Sequence, residues 1–122
     1  MRFTKDSSSG INIIRGYGAG ELRVNDTIYR GAVILSASTV IAEPNIHHLD
    51  ELLALDASSM LALQPEVVLL GTGARQIFPA ASFSAQFLRA GIGIETMDTG
   101  AACRTFNVLA GEQRRVVAML LL

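Results

Sequence analysis

Pro65-Glu66-Val67-Val68-Leu69-Leu70-Gly71-Thr72-Gly73 is the stretch on which the fold class turns. Val67 to Leu70 form a short, continuous apolar run bounded by Pro65 and Gly71. A run of that kind marks a strand covered on both faces. Downstream the pattern alternates. Phe83, Phe87 and Ala90 fall at helical spacing within Ser82 to Ala90, and Gly91 supplies a C-terminal stop. Ile92 to Met97 predicts another strand. Asp98 or Thr99 caps a helix to Ala110, closed by Gly111, and Val116 to Leu122 supplies a last buried strand.

Upstream, Pro65 stops a helix that Asp56 caps and that runs through Gln64. His47 to Leu55 fits a short helix, an extended edge, or both in sequence. The first half is strand-rich. Ile11 to Arg15 reads as a strand, interrupted by a bend or loop at Gly16-Tyr17-Gly18-Ala19-Gly20. Alternation on both sides of Asn25-Asp26 predicts a β-hairpin of Glu21 to Val24 with Thr27 to Arg30, because Asn and Asp tolerate positive φ. Ala32 to Leu35 and Thr39 to Ala42 extend the strands, and Pro44 ends them. Strands followed by αβαβαβ point to a three-layer α/β sandwich, with a mixed central β-sheet and a small additional β-sheet or hairpin. Residues 11–122 read as one domain, and residues 1–10, with their serine run, as a flexible N-terminal segment.

Half of the 122 residues are hydrophobic, enough for a packed core without metals or cross-links. Ten basic residues against eleven acidic ones leave a charge of −1, and the longest basic run is Arg114-Arg115. Nucleic-acid binding needs a basic field, so that class is set aside. The single cysteine, Cys103, excludes an internal disulfide and a multi-cysteine metal site, and fits a reducing cytoplasm. Met1 to Ser7 shows neither the apolar core of a secretory signal nor an Arg-rich presequence. Val116 to Leu122 is far shorter than the about 20 residues needed to span a bilayer. The expected setting is therefore a cytoplasm, with no transmembrane segment.

Two stretches concentrate candidate chemistry. Gly71-Thr72-Gly73 follows a buried strand, where open α/β sheets bind ligands, yet no P-loop lysine follows and the next helix begins only near Ser82. The loop is either a structural turn or a ligand or partner loop, which Arg75-Gln76-Ile77-Phe78-Pro79 would help line. In the second stretch, Ala102, Cys103, Phe106, Leu109 and Ala110 share one helical face that packs inward. Cys103 lies at its edge, with Asn107 one turn further on the same ridge, and Arg104 points elsewhere. A helix N-terminus can lower a thiol pKa, but a nucleophilic cysteine needs a base, and only His47 and His48 are present. Cys103 is accordingly read as a buried helix cysteine. Adjacent His47 and His48 point different ways and cannot form a zinc face. Asp98 is better explained as a cap than as a carboxylate partner of Glu95. No serine sits in a nucleophile elbow. Neither catalytic nor metal-binding residues, nor a cofactor, are assigned.

Tyr17-Gly18, Pro44, the segment 65–73, the segment 95–109, and Glu112 with Arg115-Val116 together carry a resemblance. The chain resembles the small Mth-type domain family that includes the mitochondrial assembly factor three of respiratory complex I and the adipogenesis-associated Mth-type domain proteins. The resemblance implies a three-layer α/β fold with a mixed central sheet, no established catalytic activity, and a protein partner during assembly of a membrane-arm complex. Two departures stand out: there is no mitochondrial presequence, which against the resemblance implies a bacterial or other cytoplasmic member, and Phe106 stands where tyrosine is expected.

The leading expectation is a non-enzymatic protein-binding module related to assembly of respiratory complex I. Its rim is Gly71, Thr72, Gly73, Arg75, Thr99, Cys103, Arg104 and Asn107. The alternative is a small-ligand or anion-binding protein or enzyme that uses the Gly71–Gly73 loop and the Thr99-Cys103-Arg104 helix start. A homo-oligomer with exposed apolar hairpin surface is a third reading.

Overall fold

The computed structural model describes residues 10–122, so the expected flexible N-terminal segment lies outside the described residues except for Gly10. Strands β1 (Ile14–Gly18), β2 (Glu21–Val24) and β3 (Thr27–Arg30) form an antiparallel three-stranded sheet. The chain then enters the central sheet with β4 (Ala32–Ser36) and β5 (Val40–Glu43). Two short helices follow, α1 (Leu49–Leu53) and α2 (Ser58–Leu61). The rest is β6 (Val67–Gly71), α3 (Ala81–Leu88), β7 (Gly93–Met97), α4 (Thr99–Gly111) and β8 (Val116–Leu121). The central sheet has the order β5-β4-β8-β6-β7. It is mixed: β6 runs parallel to both β7 and β8, whereas β4 is antiparallel to β5 and β8.

Period-2 alternation inside the apolar runs divides the core in two. Val67, Leu69, Ala118 and Leu120 face one way and meet Ala102, Phe106 and Ala110 of α4, with Leu22 and Val24 of the small sheet. Val68, Leu70, Val117 and Met119 face the other way and meet Leu52, Met60, Phe83 and Phe87 of α1, α2 and α3. The layers are therefore α4 with the small sheet, the central sheet, and the three short helices. Phe87 and Phe106 are fully buried, one on each face. Transfer of each ring from water contributes roughly 1.5–3 kcal/mol. Phe83 meets Phe87 edge to face at 5.3 Å between ring centroids.

Several boundaries differ from the sequence reading. β1 begins at Ile14 rather than Ile11, and Gly16-Tyr17-Gly18 belong to the strand, with the turn falling on Ala19-Gly20. A bulge between Ile14 and Gly16 takes up the register shift. Asn25-Asp26 does form the hairpin turn, with Asn25 at φ +54. The segment 47–55 is helical only over Leu49–Leu53. Asp56 accepts from the Ser58 N–H at 3.0 Å, yet Ala57 is the cap residue and α2 ends at Leu61, short of Gln64. Gly111 lies inside α4. The left-handed residue after that helix is Gln113 at φ +64, and the Arg114 N–H closes the end by donating to the Leu109 carbonyl at 3.0 Å.

Candidate functional site

β6, β7 and β8 run parallel, so their carboxyl ends meet at one edge of the molecule. Gly71 ends β6 where no side chain fits: a Cβ there would sit 3.0 Å from both Leu120 Cδ2 and Thr99 Oγ1. The Thr72 N–H donates to the Met97 carbonyl at 3.0 Å, and the Gly73 N–H donates to Thr99 Oγ1 at 2.8 Å. Thr99 is fully buried. Its hydroxyl donates to the Leu121 carbonyl at 2.7 Å, and its N–H donates to the Gly73 carbonyl at 2.9 Å. One threonine thus ties the ends of β6 and β8 to the start of α4. The amides of Thr72 and Gly73 are engaged within the protein and face no open anion site.

The loop from Thr72 to Ala80 is wound around the Thr72 side chain. Thr72 Oγ1 donates to the Arg75 carbonyl and accepts from the Ile77 N–H at 3.0 Å. Gln76 Nε2 donates to the Thr96 carbonyl at 2.9 Å. These bonds fix the loop while its tip stays in solvent, with Phe78 73% and Ile77 42% exposed. Arg75, next to them in the loop, is exposed too.

At the other side of Thr99, Asp98 caps α4 by accepting from the Ala101 N–H at 2.9 Å. The Asn107 side chain acts as a strand partner for the bulged start of β1: its Oδ1 accepts from the Ile14 N–H at 3.0 Å, and its Nδ2 donates to the Ile14 carbonyl at 2.9 Å. This pairing docks the small sheet on α4 and leaves a cleft of about 250 Å³. Cys103, Arg104, Asn107 and Gly100 line it from α4, and Arg15 and Tyr17 line it from β1. Tyr17 is half-buried, and burial raises its phenol pKa above the usual value, with the nearby Thr99 hydroxyl opposing the rise.

The structure therefore sorts the eight rim residues into two groups. Gly71, Thr72, Gly73 and Arg75 belong to the end of β6 and the loop after it, and Cys103, Arg104 and Asn107 to the cleft, with Thr99 buried between them. No residue of the glycine loop lines the cleft. Arg15 and Tyr17 were missed by the sequence reading, because the Ile14–Asn107 pairing that brings them there joins residues 93 positions apart. Phe106, in place of the expected tyrosine, is fully buried in the core beneath α4.

Cys103 departs from the activated state that a helix N-terminus favours. It is 5% exposed, and burial pushes its thiol from the ordinary value near 9 up to about 11, with Arg104 opposing weakly and Asp98 adding. His47 and His48 offer it no base: they precede α1, which packs through Leu52 on the opposite face of the sheet. Their backbone N–H groups instead donate to Glu51 Oε1, each at 3.0 Å, which holds that carboxyl below its usual pKa. Among the described residues no group of three His, Cys, Asp or Glu side chains is arranged to hold a metal ion. The folded chain holds the Cys103 proton more tightly than the unfolded chain does. Its contribution to stability is therefore complete below about pH 9 and is lost as pH rises toward 11. Ultraviolet titration of the thiolate is expected to give a midpoint near 11 in native protein and near 9 in urea. A native midpoint at or below the unfolded one would contradict the burial argument.

Residues 14–121 match the family model described as "Protein of unknown function (DUF498/DUF598)". The chain belongs to this family. A Francisella tularensis subsp. holarctica relative named "13 kDa major membrane protein" is 30% identical over 106 residues, covering 86% of each chain. The Danio rerio protein "NADH dehydrogenase [ubiquinone] 1 alpha subcomplex assembly factor 3" is 30% identical over 118 residues, covering 96% of this chain and 67% of that one. The solution structure of a Bordetella pertussis protein described as a Mth938-like domain superposes with a TM-score of 0.78. It is 29% identical and covers 99% of this chain and 92% of its own. The family and the fold expected from the sequence are those found. No helix among the described residues is long and apolar enough to cross a membrane.

Proposed function

We propose that this member of the family is a non-enzymatic protein-binding module that serves assembly of an NADH dehydrogenase, and that it docks through the loop between β6 and α3. The observation that carries the reading is Phe78, 73% exposed at the tip of a loop that Thr72 and Gln76 hold in place. An aromatic residue that is solvent-facing and already ordered costs little entropy to bury against a partner, and such anchors dominate binding energy. Ile77 extends the apolar tip and Arg75 supplies a charged flank, the composition common at interface hot spots. The name of the Danio rerio relative supports the choice of partner, since the shared region covers nearly all of this chain. A cytoplasmic setting accords with the lone free thiol of Cys103.

The test is complementation. A strain lacking the gene is expected to assemble less NADH dehydrogenase, as judged by native gel and by NADH oxidation in membranes. The wild-type gene restores the complex and Phe78→Asp does not. Phe78 makes no core contact, so Phe78→Asp is expected to change stability by no more than about 0.5 kcal/mol. Full rescue by a stable Phe78→Asp protein would overturn the docking site, and normal NADH dehydrogenase in the deletion strain would overturn the assembly role.

A further inference from the structure

We propose that the cleft between β1 and α4 binds a carboxylate, held between Arg15 and Arg104 over the backbone of Gly100. Both arginines are exposed at the cleft, one on each wall. Neither forms an ion pair among the described residues, whose pairs are Arg30–Glu21 and Arg114–Glu66. An Arg104 guanidinium nitrogen lies 3.6 Å from the point where a Cβ on Gly100 would sit, so the charge is folded back over the first turn of α4. The Tyr17 ring closes the same spot, 3.9 Å from that point. The N–H groups of Thr99 and Ala101 are taken by the Gly73 carbonyl and the Asp98 carboxylate, whereas no acceptor among the described residues takes that of Gly100. The floor is Cys103, a residue 5% exposed that lines the cleft and whose thiol has no hydrogen-bond partner among the described residues. It keeps its proton at neutral pH, so it is available as a donor and adds no negative charge.

Size and charge narrow the ligand. About 250 Å³ is below the range of roughly 300–1,000 Å³ that holds drug-sized ligands, and suits one small group. Guanidinium forks match planar carboxylates. Asp98 Oδ1 lies 3.3 Å from the same Cβ point, and its charge disfavours a dianionic phosphate more than a monoanion. The carboxylate comes from an acidic side chain of a protein partner or from a free small acid. The inference does not rest on the role of Phe78, and either can fail alone.

The experiment is a titration of ¹⁵N-labelled protein followed by amide chemical shifts. The probes are sodium propionate, the α-methylamide of N-acetylglutamate with its side-chain carboxylate free, and inorganic phosphate. Saturable shifts at Gly100 and Arg104 are expected with a carboxylate at about millimolar concentration. Arg15→Ala/Arg104→Ala is expected to weaken binding about tenfold or more, since charge-assisted bonds are lost at two exposed positions whose removal leaves the core intact. Gly100→Ala, which fills the cleft, is expected to weaken it as well while the signals of β6 and β8 stay in place. Tighter binding of the glutamyl compound identifies the source as a protein side chain, and equal binding identifies a free acid. No saturable shift, tighter binding of phosphate, or shifts unchanged in the double variant would each overturn the proposal.

Discussion

Thr99→Val is expected to lower the unfolding free energy by about 2–4 kcal/mol, although the two side chains are nearly the same shape. Thr99 is fully buried, and its hydroxyl links the Gly73 N–H at 2.8 Å to the Leu121 carbonyl at 2.7 Å. Valine leaves both of these part-buried backbone groups without their partner, and each such loss costs about 1–3 kcal/mol. On the proposed docking role of Phe78 the effect should reach function as well, since Gly73 lies in the loop that presents that residue. Thr99→Ser keeps the hydroxyl and is expected to lose only about 1 kcal/mol for the missing methyl. Urea denaturation of the three proteins decides it. Equal losses in the valine and serine variants would mean that packing, not the hydroxyl bridge, holds the strand ends together.

Gly31→Ala should be the most damaging small substitution, at about 3–5 kcal/mol or outright failure to fold. Gly31 carries the chain from the small sheet into β4 at φ +83, a conformation that L-residues rarely adopt. A Cβ there would lie 2.6 Å from the carbonyl oxygens of both Glu43 and Pro44. Those are backbone atoms, so no side-chain rotation relieves the clash. The Gly31 carbonyl also accepts from the Leu122 N–H at 2.9 Å, tying the end of the chain to the same point. Gly20→Ala provides the contrast. Its φ is +77, but nothing lies within 4 Å of the added carbon, so only the backbone strain of about 1–2 kcal/mol remains. Thermal unfolding should therefore place Gly31→Ala well below Gly20→Ala; coincident curves would show that the backbone at Glu43-Pro44 moves aside.

What could be read from the sequence follows how local each signal is. Val67 to Leu70 and Val116 to Leu121 announce themselves because a strand with both faces covered has no polar positions to blur it. Asn25 supplies its own turn chemistry at φ +54. Gly16 and Gly18 mislead, since their intrinsic preference opposes a strand while pairing with Arg23 and Glu21 of β2 holds them in one. Gly111 misleads in the opposite sense, because the left-handed residue that ends α4 is Gln113. In the candidate site, Thr99, Cys103, Arg104 and Asn107 could be found from one helix. Arg15 and Tyr17 could not, since only the docked sheet brings them to the cleft. The apolar letters of Ile77 and Phe78 match those of core residues, and only the fold leaves these two in solvent. Cys103 shows two opposed local rules, in which desolvation outweighs the helix terminus.

The most direct measurement is photo-crosslinking in the source cell with a photoreactive amino acid placed at position 78, and at the exposed Ile28 of β3 as a control. If the Phe78 loop is the docking surface, position 78 joins the protein to a subunit or assembly intermediate of NADH dehydrogenase, and position 28 does not. Adducts of equal yield at both positions, or a position 78 that captures no protein of that complex, would contradict the account.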